Sequence, residues 1–164
     1  MLARAFLVLV TVGACGKGSD ANTAPADPIV HFVRVAEGDE AIAKANADAR
    51  ASVDHFIAEL NNPKPGYDYS VKKAFTQGEE VEHMWIIDLS YEGTTFSGVV
   101  NNVPQLVTDV KMGDRVSVDR SEIGDWLITD PDGKLHGGYT ARALLDTMSG
   151  EERKQFEARL APLP

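Results

Sequence analysis

Greasy and polar positions alternate along most of this chain with a period of two. In the stretch 42–60 the spacing changes. Apolar residues there fall at Ile42, Ala45, Ala49, Val53, Phe56, Ile57 and Leu60. Steps of three and four place them on one stripe of a helix of about six turns. Asp39 stands just before that stripe, where its carboxylate can accept from free first-turn amides. Asn61-Asn62-Pro63 ends it, because the residue before a proline is pushed out of the helical region. Ahead of the helix, 29–35 (IVHFVRV) is rich in β-branched residues and reads as a strand.

Beyond Pro65-Gly66 the period is two. Strands are expected at 69–75, 81–91, 94–100, 106–110, 115–118, 126–129 and 135–139. Glu92-Gly93 makes a tight hairpin connection between the second and third of these. Asp130-Pro131-Asp132-Gly133 has a turn-favouring residue at every position. Along 81–91, alternation puts Val81, His83, Trp85, Ile87, Leu89 and Tyr91 on one side. That side is expected to pack on Phe56, Ile57 and Leu60. After Thr140 the spacing turns helical again, at Leu144, Leu145 and Met148. Ser149 and Glu152 fit a capping box for a last helix through Phe156 and Leu160. The resulting fold class is α+β. One long N-terminal helix packs on a strongly bent, mainly antiparallel sheet or small partial barrel, and a C-terminal helical hairpin follows.

The first fourteen residues do not fit this scheme. Arg4 precedes a short apolar run that ends in Val12-Gly13-Ala14, before Cys15, the single cysteine. A positive tip, a greasy core and small residues before a break are the parts of a secretory signal. The run is far shorter than the roughly 20 residues that a membrane-spanning helix needs. Val12-Gly13-Ala14-Cys15 resembles the lipobox of bacterial lipoproteins. The resemblance implies cleavage before Cys15 and lipidation of Cys15. Gly16 follows in place of the aspartate that retains many lipoproteins in the inner membrane, so the expected address is the outer membrane, facing the periplasm. Residues 15–28 hold no large apolar side chain and read as a flexible tether.

Removing residues 1–14 from the 164 leaves 150, enough for one domain with its own core. The formal charge of −9 becomes −10, since Arg4 is the one charge lost. Such an acidic chain does not suit nucleic acid or anionic lipid headgroups, so the membrane partner acts through the Cys15 lipid.

Motifs for chemistry are missing from the sequence. No histidine has a second at metal-ligand spacing, and no serine sits in a nucleophile elbow. No catalytic residue, metal ligand or cofactor is assigned. The richest constellation is Asp125-Trp126 with Gly137-Gly138-Tyr139-Thr140 and Arg142. Its carboxylate, guanidinium, aromatics and bare glycine backbone could line a small polar pocket. The candidate binding residues are therefore Asp125, Trp126, Gly138, Tyr139 and Arg142. The plainer reading makes Trp126 core, has Asp125 accept amides at a turn, and pairs Arg142 with Asp125.

Several segments, in order, resemble the YegJ-like family of bacterial domains of unknown function. They are HFIAEL within the helix, Phe75, Val81-Glu82-His83-Met84-Trp85 and Gly98-Val99-Val100-Asn101-Asn102-Val103-Pro104. Met112-Gly113-Asp114-Arg115-Val116, Ile123-Gly124-Asp125-Trp126 and Gly137-Gly138-Tyr139-Thr140-Ala141-Arg142 complete the set. The resemblance implies a fold and an envelope address, with no reaction to carry over. With the leader and tether read above, the chain is expected to divide into a signal peptide (1–14), a tether (15–28), the YegJ-like α+β domain (29–142) and a C-terminal helical extension (143–164).

The sequence thus favours a lipid-anchored envelope protein that binds a ligand or protein without turning it over. One alternative is a small hydrolase using Asp125, His136 and Arg142. Another is an inhibitor or immunity-type protein with a broad surface patch.

Overall fold

A computed structural model describes the backbone of residues 5–12, 29–36 and 39–164, with side chains from residue 39 onward. Cys15 and the tether lie outside the described residues. Eight strands form one mixed sheet: β1 (Ala5–Val12), β2 (Ile29–Ala36), β3 (Asp68–Gln77), β4 (Glu80–Glu92), β5 (Thr95–Val100), β6 (Arg115–Asp119), β7 (Ile123–Thr129) and β8 (Leu135–Gly137). The order across the sheet is β2-β1-β4-β3-β7-β8, and β5 and β6 branch from β4. All pairings are antiparallel except β1 with β4. With the helices α1 (Glu40–Ala51), α2 (Val53–Asn61), α3 (Tyr139–Ala143) and α4 (Gly150–Glu157), the class is α+β.

Four expectations change. The long helix is two, broken at Ser52, whose φ of −100° and ψ of 5° leave the helical region. The break has local causes: the Ser52 hydroxyl donates back to Asp48 and Ala49 carbonyls, competing with the helix ladder. Segment 106–110 is not a strand. Its amides are used elsewhere, for Leu106 and Val107, with Gln105 before them, donate to the Glu82 carboxylate and Thr108 donates to Gln77 Oε1. The last predicted strand stops at Gly137, and Tyr139 opens α3 instead.

The fourth change concerns the core face of β4. Met84 and Ile86, not Trp85 and Ile87, join Phe56, Val71, Phe96, Val118, Ile123 and Trp126 in the main apolar core. Asp88 explains the error. Its φ of +51° makes it the one described non-glycine residue in the left-handed region. There the β4–β5 register slips between Ile87 and Ser90. The extra residue reverses the alternation, so Leu89 and Tyr91 do reach the core that Met84 and Ile86 enter. Gly98 is needed opposite this bulge, since a Cβ there would lie 2.5 Å from the Ile87 carbonyl oxygen.

At the C-terminal end, Leu135, Ala141, Leu144 and Phe156 form a second, smaller apolar cluster. The capping box at Ser149 and Glu152 forms as expected. Among the described residues no helix is long and apolar enough to cross a membrane.

Candidate functional site

β3 runs between β4 and β7, and Lys72 is paired with Trp85 on one side and Asp125 on the other. Direct pairing in a pleated sheet puts all three side chains on one face. That face is opposite the main core, yet Lys72 and Asp125 are fully buried and Trp85 nearly so. A buried ammonium and a buried carboxylate each need partners.

The partners come from α3. Gly137 and Gly138 both take positive φ, and this turns the chain sharply from β8 into the helix. The turn brings the Tyr139 and Thr140 amides onto Asp125, at 3.0 and 2.8 Å. The Trp126 amide adds a third bond at 2.9 Å. Thr140 Oγ1 donates to Asp125 Oδ2 at 2.5 Å and accepts from Lys72 Nζ at 2.6 Å. Thr140 thereby bridges two opposite charges, while the Lys72 ammonium lies 4.5 Å from the centre of the Trp85 ring.

Electrostatics follow from this burial. Desolvation lowers Lys72 to about 8, against the opposing pull of Asp125. Desolvation also raises Asp125, opposed by Lys72 and by bonds from Thr140 and Tyr139. Each backbone partner of Asp125 donates, which is the bonding pattern of a carboxylate. His83, further along the face of Trp85, is lowered to about 4 by burial and then by Lys72. Nearby, Asn46 Oδ1 is buried without a hydrogen-bond partner. A Cβ on Gly124 would sit 3.5 Å from both Asn46 Oδ1 and His83 Nδ1, so this glycine leaves room between α1 and β4.

The sequence-predicted residues divide. Asp125 and Tyr139 meet through a hydrogen bond, and Gly138 supplies the turn between them. Trp126 points away, into the core, where its Nε1 donates to the Ala49 carbonyl and to Ser52 Oγ. The Tyr139 hydroxyl donates to the same Ser52 Oγ at 2.6 Å. Arg142 does not pair with Asp125. Its guanidinium donates to the carbonyls of Gly137, Leu135 and Ala161, tying the C-terminal segment to β8. His136 is on the other side of β8's turn, 3.3 Å from Asp130. Among the described residues no group of three or more His, Cys, Asp and Glu could hold a metal ion.

Sequence reasoning missed Lys72 and the buried Glu82. Lys72 and Lys73 are adjacent, and nothing local says which one is covered. Glu82 left one usable clue: it alternates with Met84 and Ile86, the true core face.

The architecture is an α+β domain with a braced, buried polar cluster at its centre. The family described as "Uncharacterized protein conserved in bacteria (DUF2314)" matches residues 39–161, and the chain belongs to it. The match includes the segment after Arg142. Uncharacterized protein YegJ of Escherichia coli (strain K12) is 36% identical over 121 residues, covering 74% of this chain and 78% of YegJ. A putative ankyrin repeat protein of Neisseria meningitidis serogroup B is 34% identical over 141 residues. That match covers 80% of this chain and 54% of the longer protein. No solved structure matches significantly.

Proposed function

We propose that the protein is a lipid-anchored, non-enzymatic binding domain of the bacterial envelope, held at the outer membrane and facing the periplasm. One geometric observation carries the choice of binding over turnover: the groups that a hydrolase would need are spent on the chain itself. Asp125 accepts from three backbone amides and a hydroxyl, and Arg142 grips three carbonyls. Reactive use of either would unpair buried polar groups. The buried cluster shapes the surface without touching a partner. Val103 and Met112, 61% and 57% exposed, are large apolar side chains available for contact. Both stand on the β5–β6 loop, which Glu82 holds through the Gln105 and Leu106 amides and which Asn102 ties to β4 by accepting the Trp85 amide.

The anchor reading rests on Arg4, the short apolar run and Val12-Gly13-Ala14-Cys15. Intact mass of membrane-extracted protein should show residues 1–14 removed and acyl groups added. A Cys15→Ser variant should leave the processed, membrane-bound pool. Equal membrane retention of that variant would reject the anchor. The hydrolase reading is tested with a substrate panel. Turnover that vanished in Asp125→Asn or His136→Ala would replace binding by catalysis.

A further inference from the structure

One end of the sheet is β8, and a later segment of the same chain covers it. Lys134 and Gly138 face β7, for the Asp130 amide donates to the Lys134 carbonyl and the Gly138 amide donates to the Trp126 carbonyl. Alternation therefore turns the N–H and C=O of Leu135 outward. Both are taken by the segment that leaves α4. The Leu135 amide donates to the Arg159 carbonyl at 2.8 Å, and the Ala161 amide donates to the Leu135 carbonyl at 3.0 Å. Leu135 and Leu160 thus form a short parallel bridge. We propose that residues 158–161 are a built-in strand cap, and that β8 beneath them is a pairing site for a second copy of this chain. Neither part depends on the lipid anchor.

The cap is tied down from both sides by basic side chains. Lys134 Nζ donates to the Ala158 carbonyl, and Arg159 Nε donates to the Gly133 carbonyl. Arg142 bonds the carbonyls of Gly137 and Ala161 at once. The cap also blocks its own extension. Pro162 follows it directly and Pro164 comes two residues later, and neither has an N–H to give to a further strand. A second edge, at β6, is guarded by other means. Asp114 and Arg120 bond β5, so Ser117 and Asp119 face outward. There Lys73 Nζ donates to the Ser117 carbonyl, and the Asp119 amide donates to the Glu122 carboxylate. Charged side chains laid over a ladder are a common defence against edge-to-edge pairing. Two edges closed by unrelated devices indicate that pairing is what both prevent.

Geometry decides what an uncovered β8 accepts. Leu135 presents one donor and one acceptor on the same side. Two copies set about a two-fold axis exchange both bonds, which is the hydrogen-bonded pair of an antiparallel ladder. Apolar contact adds to this. Leu135 packs with Leu144, Phe156 and Leu160, so lifting the cap withdraws Leu160 and bares apolar surface along the seam. An open edge beside such surface is a template for a strand from another chain. At three residues β8 is short, so the pair forms at high concentration and separates on dilution.

Sedimentation equilibrium and amide hydrogen exchange test this on the full chain and on a chain stopped at Glu157, in the same detergent. The full chain should keep the monomer mass through a dilution series, with the Leu135 amide protected. The shortened chain should move from the monomer mass towards twice that mass as concentration rises. Its Leu135 amide should exchange freely when dilute and regain protection when concentrated, while 68–77 stays protected throughout. A synthetic peptide of residues 158–164 should return it to monomer. Since shortening can prevent folding, a second form carries a protease site between Glu157 and Ala158. Cut after folding and freed of the released peptide, it should behave as the shortened chain does. A folded chain without its cap that stayed monomeric at every concentration, with the Leu135 amide open, would overturn the pairing site. Dimers that the peptide failed to dissolve would put the seam elsewhere and overturn it too. A full chain whose Leu135 amide exchanged as freely as in the cut form would overturn the cap.

Discussion

Lys72 Nζ donates to Thr140 Oγ1 across 2.6 Å, although 68 residues separate the two in sequence. This bond joins the middle of the sheet to the first turn of α3. It also places a buried ammonium one hydroxyl away from a buried carboxylate. The domain's polar interior is organised around this contact.

Thr140→Val keeps the side-chain shape and removes the bridge. Lys72 then loses its acceptor and Asp125 one of its donors. Leaving buried charged partners short of bonds should cost about 3 kcal/mol. For a domain of this size that lowers Tm by about 6–12 °C. Thr140→Ser, which retains the hydroxyl, should recover most of the loss. Thermal unfolding followed by circular dichroism decides it, and an unchanged Tm in Thr140→Val would show that the bridge contributes nothing.

His83 makes stability fall on the acid side of neutrality. Its folded value is about 4, against 6.5 ordinarily, so between these limits the unfolded chain binds a proton that the folded chain refuses. The contribution is complete above 6.5 and shrinks as the pH falls towards 4. At pH 5 this amounts to about 2 kcal/mol. Denaturant unfolding of the wild type and His83→Phe at pH 7 and pH 5 should show a smaller acid loss in the variant.

Lys72 acts in the opposite pH range. Its folded value of about 8 lies below the ordinary 10.5, so burying its charge costs most below pH 8. Stability should rise as pH climbs from about 8 to 10.5, because the folded lysine sheds its proton first. Lys72→Met should flatten that rise relative to wild type in the same denaturant titration. An equal slope in both proteins would mean that Lys72 stays charged throughout.

Gly137→Ala should be severe. A Cβ at Gly137 would lie 2.5 Å from the Trp126 ring and carbonyl, at a φ of +82°. Strain and overpacking together should cost about 3 kcal/mol or more. Gly133→Ala is the control. Its φ of +78° is equally unfavourable, but the nearest atom is 3.9 Å away on the Arg159 side chain. Strain alone should cost about 1 kcal/mol. Similar Tm values for the two variants would show that contact with Trp126 is not what requires Gly137.

Glu82→Gln should loosen the β5–β6 loop without dissolving the sheet. The carboxylate accepts from the Gln105, Leu106 and Val107 amides, while Glu82 itself stays paired with Phe75. A carboxamide offers one acceptor oxygen in place of two. Limited proteolysis should then cut between 101 and 114 faster than in wild type, with β3 and β4 intact. Unchanged cleavage would separate Glu82 from the order of the loop.

Much of the fold could be read from local pattern. β3, β4, β5, β6 and β7 lie where alternation predicts strands, and the capping residues Asp39 and Ser149 accept the amides expected of them. These features depend on neighbours a few residues away, so a short window of sequence contains their cause. Of the candidate site, the sequence singled out the Asp125 and Gly137–Thr140 segments, and they do meet. It misjudged the partner of Arg142, because guanidinium groups bond carbonyls as readily as carboxylates and only the path of the C-terminal segment decides between them.

Tertiary structure decided the rest, for one physical reason: a side chain's burial and charge depend on what the fold lays over it. Lys72 and Lys73 are indistinguishable by composition, yet one is sealed beneath α3 and the other reaches Glu122 at the surface. Asp88 reverses the face of β4 through a single positive φ, which no alternation pattern reveals. Segment 106–110 has the composition of a strand, but Glu82, a full loop away in sequence, had already claimed its amides. Hydrophobic period determined which elements form. Long-range hydrogen bonds determined which polar groups end up inside.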